Sequence, residues 1–477
     1  MYPEPLSRRR FVQAAGGALF TAAGVRGQTL KPPNIVLILC DDLGYGDLRT
    51  YGSNIATPNL DGMAQEGVHF RQFYSTSSVC SPSRASLMTG RYATRVGVPG
   101  VLSPHDTTGL SISEMTIAEV LKPVGYNTMC VGKWHLGSQL QFLPTNRGFD
   151  EYYGIPYSND QSPSILMHNT DIIESPVQLD TLTQRYTQQS VNFIQRSQST
   201  PFFLYLAHTF PHIPLAASSA FKGKSGLGLY GDVVEEIDWS VGQVLHALTD
   251  NGVDDNTLVM FASDNGPWFL GSPGRLRGRK GWSYEGGVRV PFIARFPGRI
   301  AATRFLNRAV RIPAGRVSVS VATTMDILPT IAGLCKAPLP GKPLDGVDIW
   351  PILAGDQDSV SREAFLYFDG WNLQCARLGE WELHVSRYND FPWSPDPVVG
   401  RYNLPLPNPE LYNLELDPDE SYNVAADNPG IVADIQARIL KLLPAFPPDV
   451  MNAWNFTMSQ KSTGVDGSLP TRVVPQP

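Results

Sequence analysis

Charge is scarce in this sequence. Only 17% of its 477 residues are Asp, Glu, Lys or Arg, against about 25% in an ordinary soluble domain. The net charge of −6 is spread along the chain. There is no basic stripe and no basic patch interleaved with aromatics, which argues against a nucleic-acid partner. Cysteine is scarce too. Cys40, Cys80, Cys130, Cys335 and Cys375 are an odd number in a long chain, which excludes a disulfide scaffold. Cys40 and Cys130 lie in or beside apolar runs and read as small buried hydrophobes. Nothing in the sequence supports a Cys335–Cys375 bridge. No run reaches the ~20 apolar residues of a membrane span. No internal repeat occurs, and no His/Cys pair has the short spacing of zinc ligands, which disfavours zinc.

A hydrophobic fraction of 42% over this length is enough for one large domain, or a large and a small one. The first residues carry an address. Ser7-Arg8-Arg9-Arg10-Phe11-Val12 is a twin-arginine pattern, followed by an Ala/Gly-rich stretch from Ala14 to Val25. That layout predicts an export signal over residues 1–27, cleaved near Gly27, and a periplasmic or extracellular destination. An uncleaved anchor or an ordinary basic tail is the competing reading.

Beyond the signal, continuous apolar runs predict strands buried on both faces: Asn34–Leu39, Tyr126–Val131, Phe202–Ala207 and Thr257–Ala262. Helices are expected between them. Thr57-Pro58 opens one that stops at Gly67, Thr116-Ile117-Ala118-Glu119 is a capping box, and Val233–Leu248 has helical periodicity. The alternation predicts an α/β sandwich with a mostly parallel sheet over residues 30–363. From 364 to 477 the texture changes to short, closely spaced strand-like runs. These are Ala364–Phe368, Cys375–Leu378, Glu380–His384 and the segment around Leu411–Leu414. A helix follows at Ile431–Leu443, then a loose tail after Trp454. A small antiparallel subdomain is the expectation.

Three polar clusters interrupt this apolar pattern. Asp41-Asp42 directly follows the first strand, and Ser263-Asp264-Asn265-Gly266 follows the last. Ligand sites in open α/β sheets form at strand carboxyl ends, and adjacent carboxylates there are costly unless a cation holds them. The all-oxygen set Asp41, Asp42, Asp264 and Asn265 suits Ca²⁺, with Mg²⁺ the lesser fit. The third cluster is Cys80-Ser81-Pro82-Ser83-Arg84, closed by Leu87-Met88-Thr89-Gly90. Pro82 and Ser83 suit a helix start and Gly90 its end, so Cys80 falls at a helix N-terminus, which favours an anion. Arg84, one turn on, offers a positive fork to sulfate or phosphate oxygens.

Cys-x-Pro-Ser-Arg with Leu-Met-Thr-Gly downstream resembles the signature of the formylglycine-dependent (type I) sulfatases. Gly125-Tyr126-Asn127-Thr128 with Gly132-Lys133-Trp134-His135-Leu136-Gly137, Asp41–Asp47 and Glu285-Gly286-Gly287-Val288-Arg289 match as well. Phe142-Leu143-Pro144, Gly148-Phe149 and Gly154-Ile155-Pro156-Tyr157-Ser158 are similar to the arylsulfatase branch. The likeness runs from about Asn34 to the 411–423 segment.

The resemblance implies an alkaline-phosphatase-like α/β/α sandwich and a sulfuric ester hydrolase. It implies that Cys80 is converted to formylglycine (3-oxoalanine) by a formylglycine-generating enzyme, before export in this chain. Asp41, Asp42, Asp264 and Asn265 match the family's calcium ligands, with the modified Cys80 also touching the metal. Arg84 matches the residue that steadies the hydrated aldehyde, and Lys133 and His135 the pair beside it. Ser158 and Lys280 match substrate-side groups, as do Lys133 and His212. The family's His-x-Pro pattern selects His212 as the catalytic histidine over His208. Expected substrates are sulfated small molecules, glycolipids or glycans.

Chemistry supports the same set. A sulfate ester repels nucleophiles, so the cation, Lys133, Lys280 and Arg84 would neutralise it. His212 or Lys280 would protonate the leaving alcohol, and His135 would act as base when sulfate is expelled. Arg275, Arg277 and Arg279 read as a solvated basic loop beside Lys280, and Glu285 with Arg289 as a structural ion pair. Two alternatives stay open: a phosphate or phosphonate ester hydrolase of the same fold, and a non-catalytic binder of sulfated glycans.

Overall fold

The computed structural model describes residues 32–298, 311–389 and 400–460. The expected export signal lies outside the described residues, as does the tail beyond residue 460.

Asn34–Cys40 is the central strand, and every one of its residues is buried. It pairs in parallel with Phe202–Ala207 on one side and Thr257–Ser263 on the other. The sheet continues in parallel through Asn127–Gly132 to Glu151–Gly154. These five strands are the middle of a ten-stranded mixed sheet. Phe292–Arg295 and Val68–Phe70 extend one side with antiparallel pairings, and Arg316–Ser318 closes it in parallel. Leu166–His168 and Asp171–Glu174 close the other side as an antiparallel ribbon. The apolar runs follow from this burial: a strand covered on both faces has no polar position to offer. Each fully buried Val, Leu or Ile contributes about 1.5–3 kcal/mol.

The helices form where their ends are specified. Thr116 caps the helix Ile117–Leu121 reciprocally: its hydroxyl accepts the Glu119 N–H at 3.1 Å, and the Glu119 carboxylate accepts the Thr116 N–H at 2.7 Å. Pro58 opens the helix Pro58–Glu66. The helix Gly228–Asp250 is longer at both ends than its periodic stretch.

The helix Cys80–Thr89 starts at Cys80 itself, two residues before Pro82. Gly90 ends it in the left-handed conformation, with φ 67°. All ten helical residues are buried, so this helix is part of the interior.

The C-terminal region is a four-stranded antiparallel sheet in the order Phe365–Asp369, Asn372–Leu378, Trp381–Tyr388, Asn403–Asn413. Two helices, Pro429–Leu442 and Pro448–Ser459, contribute Ile435, Ile439 and Val450 to the core beside it. The tail expected to be loose after Trp454 is therefore helical to Ser459. The last strand was expected only near Leu411. It begins eight residues earlier, because Pro405, Pro407 and Pro409 are tolerated on an edge strand. All five cysteines are free thiols, so no Cys335–Cys375 bridge forms.

Candidate active site

The parallel strands share one carboxyl edge, and the predicted site residues leave from it. Cys40 is in register with Ser263, which brings Asp41 and Asp42 beside Asp264 and Asn265. Gly132 is in register with Ala207, which places Lys133 and His135 on the next strand end. Gly132 has φ 105°, and a Cβ there would meet the Ala207 carbonyl oxygen at 1.8 Å. Only glycine fits this close approach. Asp42 and His135, neither a glycine, also sit at positive φ, 67° and 62°. Such strained backbone concentrates at functional sites.

Cys80 Sγ is at the centre. It donates to Asp41 Oδ1 at 3.3 Å and receives Lys280 Nζ at 3.2 Å. Lys133 Nζ binds Asp41 Oδ2 at 2.5 Å and Ser158 Oγ at 3.1 Å. Lys280 Nζ also pairs with Asp42 Oδ1 at 2.7 Å. His212 turns Nδ1 to the Ile213 carbonyl at 2.5 Å, and its Nε2 lies 3.8 Å from Asp42 Oδ2. Potential ligand atoms of Asp41, Asp42, Cys80 and His212 all lie within 4.8 Å of one another. Asp41 is 0% and Cys80 2% exposed, whereas His212 and Lys280 reach 6% and 7%, so the latter two form the rim.

Asp264 and Asn265 complete the floor. Asp264 Oδ1 accepts the Asp42 N–H at 3.2 Å, and Asn265 Nδ2 donates to Asp42 Oδ1 at 2.7 Å. Asn265 Oδ1 is buried without a hydrogen-bond partner. A buried acceptor left free beside three carboxylates fits an oxygen-preferring cation.

Arg84 is fully buried. Its Nε donates to Asp264 Oδ2 at 2.9 Å and one terminal nitrogen to the Lys133 carbonyl at 2.8 Å. The other terminal nitrogen lies 3.6 Å from Asp41 Oδ2 and has no hydrogen-bond partner. Much of the fork is thus spent on holding two strand ends together.

Burial sets the charge states. It alone would raise Asp41, but Lys133, His212, Arg84 and Lys280 hold its carboxyl well below the usual range. Burial and the adjacent Asp41 charge push Asp264 up. Burial raises the Cys80 thiol, so the unmodified side chain is no thiolate nucleophile. Burial and the Lys133 charge hold His135 neutral; its Nε2 meets the Leu102 carbonyl at 2.9 Å and its Nδ1 has no partner. Burial and Lys280 lower His212 as well.

His208 is fully buried, and neither ring nitrogen has a partner. Several positioning residues escaped the sequence reading. Ser75 and Ser83 both donate to the Asp264 carbonyl oxygen, Ser75 at 2.6 Å. Gln161 links the Ser158 N–H at 3.0 Å to the Leu102 carbonyl at 3.0 Å. These are ordinary polar residues until the fold brings them in. The basic loop beside Lys280 is less solvated than expected. Arg277 donates to Tyr412 OH and the Glu420 carbonyl, each at 3.0 Å, and Arg279 to the Trp268 and Gly271 carbonyls at 3.1 and 2.6 Å.

Cationic side chains packed on buried carboxylates around one helix-start cysteine suit an anionic ester. The α/β sheet that carries them has the mostly parallel, alkaline-phosphatase-like architecture that the sequence predicts. Residues 33–337 match the sulfatase family profile, and the chain belongs to that family. It is 37% identical to human (Homo sapiens) arylsulfatase A, over 94% of each chain. It is 40% identical to N-acetylgalactosamine-6-sulfatase of Canis lupus familiaris, over 74% of this chain and 72% of that one. Among solved structures it is similar to the sulfatase PsFucS1 of Pseudoalteromonas sp., with a TM-score of 0.74 and 26% identity over 86% of this chain and 91% of the other. The protein is therefore a sulfatase, an enzyme that hydrolyses sulfuric esters.

Proposed function

We propose that the protein is an exported, arylsulfatase-like enzyme that cleaves sulfate monoesters through a formylglycine made from Cys80. The observation that carries this reading is the placement of Cys80. It is the first residue of a buried helix, with Asp41 at 3.3 Å and Lys280 at 3.2 Å from its sulfur. As formylglycine hydrated by one water, the position would supply paired hydroxyls, one to attack sulfur and one whose deprotonation would release sulfate and restore the aldehyde. Ca²⁺, or less favourably Mg²⁺, held by Asp41, Asp42, Asp264 and Asn265 with position 80, supplies charge neutralisation.

The chain's own residues do the rest. Lys133 and Lys280 flank position 80 and neutralise the ester's oxygens, with Ser158 orienting Lys133. His212 presents Nε2 at the rim, where it or Lys280 gives a proton to the leaving alcohol. His135, neutral and with a free Nδ1, takes the proton from the second hydroxyl. Arg84 fixes the Asp264 carboxylate and the Lys133 backbone.

The substrate class is an aryl, glycolipid or glycan sulfate. A catalytic domain over 30–363 and a C-terminal subdomain over 364–477 are the proposed organisation. The Arg8-Arg9-Arg10 signal, removed near residue 27, directs export after the formylglycine-generating enzyme has acted. No described helix is long and apolar enough to cross a membrane.

Mass spectrometry of the tryptic peptide Gln72–Arg84 from the native host tests the mechanism. The aldehyde is expected, and an unmodified thiol overturns it. Hydrolysis of an aryl sulfate well above the matching aryl phosphate is expected; the reverse preference would return the phosphate-ester reading.

A further inference from the structure

A second set of metal-type donors lies outside the catalytic pocket. Cys375 and His384 face each other as a cross-strand pair of the C-terminal sheet. Glu382, two residues before His384, lies on the same face of its strand. Glu420 reaches in from the loop after the edge strand. The four side chains are 0–3% exposed.

Cys375 Sγ lies 3.1 Å from Glu382 Oε1, and His384 Nε2 lies 3.7 Å from that oxygen and 3.1 Å from Glu420 Oε1. The ligand atoms of Cys375, Glu382 and His384 are all within 4.8 Å of one another. Tetrahedral zinc, with bonds of ~2.0–2.3 Å, sets its ligands about 3.3–3.6 Å apart. The observed separations bracket that edge length.

A second observation points to a missing partner. Glu382 is fully buried, and its Oε2 has no hydrogen-bond partner. Among the described residues neither Glu382 nor Glu420 forms an ion pair with lysine or arginine; both turn to His384. Arg277 reaches the backbone carbonyl of Glu420, not its carboxylate. Two buried carboxylates share one imidazole, and a divalent cation would favour their charged forms.

We infer that Cys375, Glu382 and His384 form a zinc site in the C-terminal sheet, with Glu420 hydrogen-bonded to His384 at 3.1 Å behind it. The thiol and imidazole select a borderline metal over Ca²⁺ or Mg²⁺, which take oxygen. The three ligands are 0–3% exposed, so the metal would be closed off from substrate. Glu420 Oε2 also accepts the Glu285 N–H at 2.8 Å, so zinc would brace the segment that follows Lys280.

Metal analysis of the full-length protein, purified without chelator from zinc-supplied cells, tests this. One zinc per chain is expected in the wild type and in Cys80→Ala, falling at least tenfold in Cys375→Ser. Protein from cobalt-supplied cells gives a second readout that needs only folded wild type. A near-ultraviolet thiolate-to-cobalt band is expected, retained in Cys80→Ala and lost in His384→Gln. Folded wild type without zinc and without the band overturns the site. A band that vanishes in Cys80→Ala also overturns it, by placing the metal in the catalytic pocket.

Discussion

Two buried acid clusters in this molecule look alike by composition and differ in what surrounds them. Asp41, Asp42 and Asp264 stand at the carboxyl ends of parallel strands, where Lys133, Lys280 and Arg84 pair with them. Glu285, Glu382 and Glu420 sit against the antiparallel C-terminal sheet. Among the described residues only Glu285 there pairs with arginines, Arg289 at 2.9 Å and Arg377 at 3.6 Å. The first cluster matches its three carboxylates with three cations, beside a rim formed by His212 and Lys280. The second has a thiol, an imidazole and carboxylates with no opening. Burial of acids alone therefore assigns nothing; the cations around one cluster and the thiol and imidazole beside the other tell them apart.

The largest expected effect separates the cysteines. Cys80→Ala should lower kcat on an aryl sulfate roughly 10⁴-fold or more, because the proposed nucleophile is lost. Cys335→Ala, at the end of the helix Ile327–Cys335 and outside both clusters, should leave kcat unchanged. Steady-state kinetics on folded protein decide. Comparable turnover in Cys80→Ala would remove the distinction between the regions.

The next effect concerns stability. Arg84→Met strands Asp264 and weakens the hold on Asp41, both fully buried, and should cost about 3–5 kcal/mol in urea unfolding. Arg289→Met leaves Glu285 with Arg377 and the Tyr74 hydroxyl, and should cost about 1–3 kcal/mol. Equal losses would mean that the strand-end cluster is held no more tightly than its counterpart.

The two regions also differ in how far the sequence discloses them. The strand-end cluster is legible because Asp41, Asp42, Asp264 and Asn265 each follow a continuous apolar run, and the runs are long enough to place as parallel strands. Asp41 follows NIVLILC and Asp264 follows TLVMFAS, so adjacency in the sheet is a short inference. The C-terminal cluster is hidden. Cys375 and His384 are nine positions apart, a spacing that no short zinc motif contains, and only the hairpin register makes them partners. The prolines of Asn403–Asn413 mask most of a strand. Arg277 reads as solvated because its partners, Tyr412 and Glu420, lie 135 and 143 positions away, in or after the C-terminal sheet. Local pattern reveals what one strand end carries; long-range pairing leaves no local mark.

A third buried acid sharpens the comparison, because it has neither cations nor metal-type neighbours. Asp238, in the helix Gly228–Asp250, accepts the backbone N–H groups of Asn59 and Leu60 at 3.1 and 2.8 Å, at the start of the helix Pro58–Glu66. Burial pushes its carboxyl up from 3.8 to about 6, against the pull of those donors. Between these values the folded chain keeps a proton that the unfolded chain releases. Stability from this group is therefore full below the lower value and is lost as pH rises through the higher one, at up to about 1.4 kcal/mol per pH unit. Asp238→Asn removes the titration. The difference in unfolding free energy between wild type and variant, followed by urea from pH 4 to 6, should shift against the wild type as pH rises. A constant difference would show that hydrogen bonds at a helix start hold a carboxylate charged as well as lysines do.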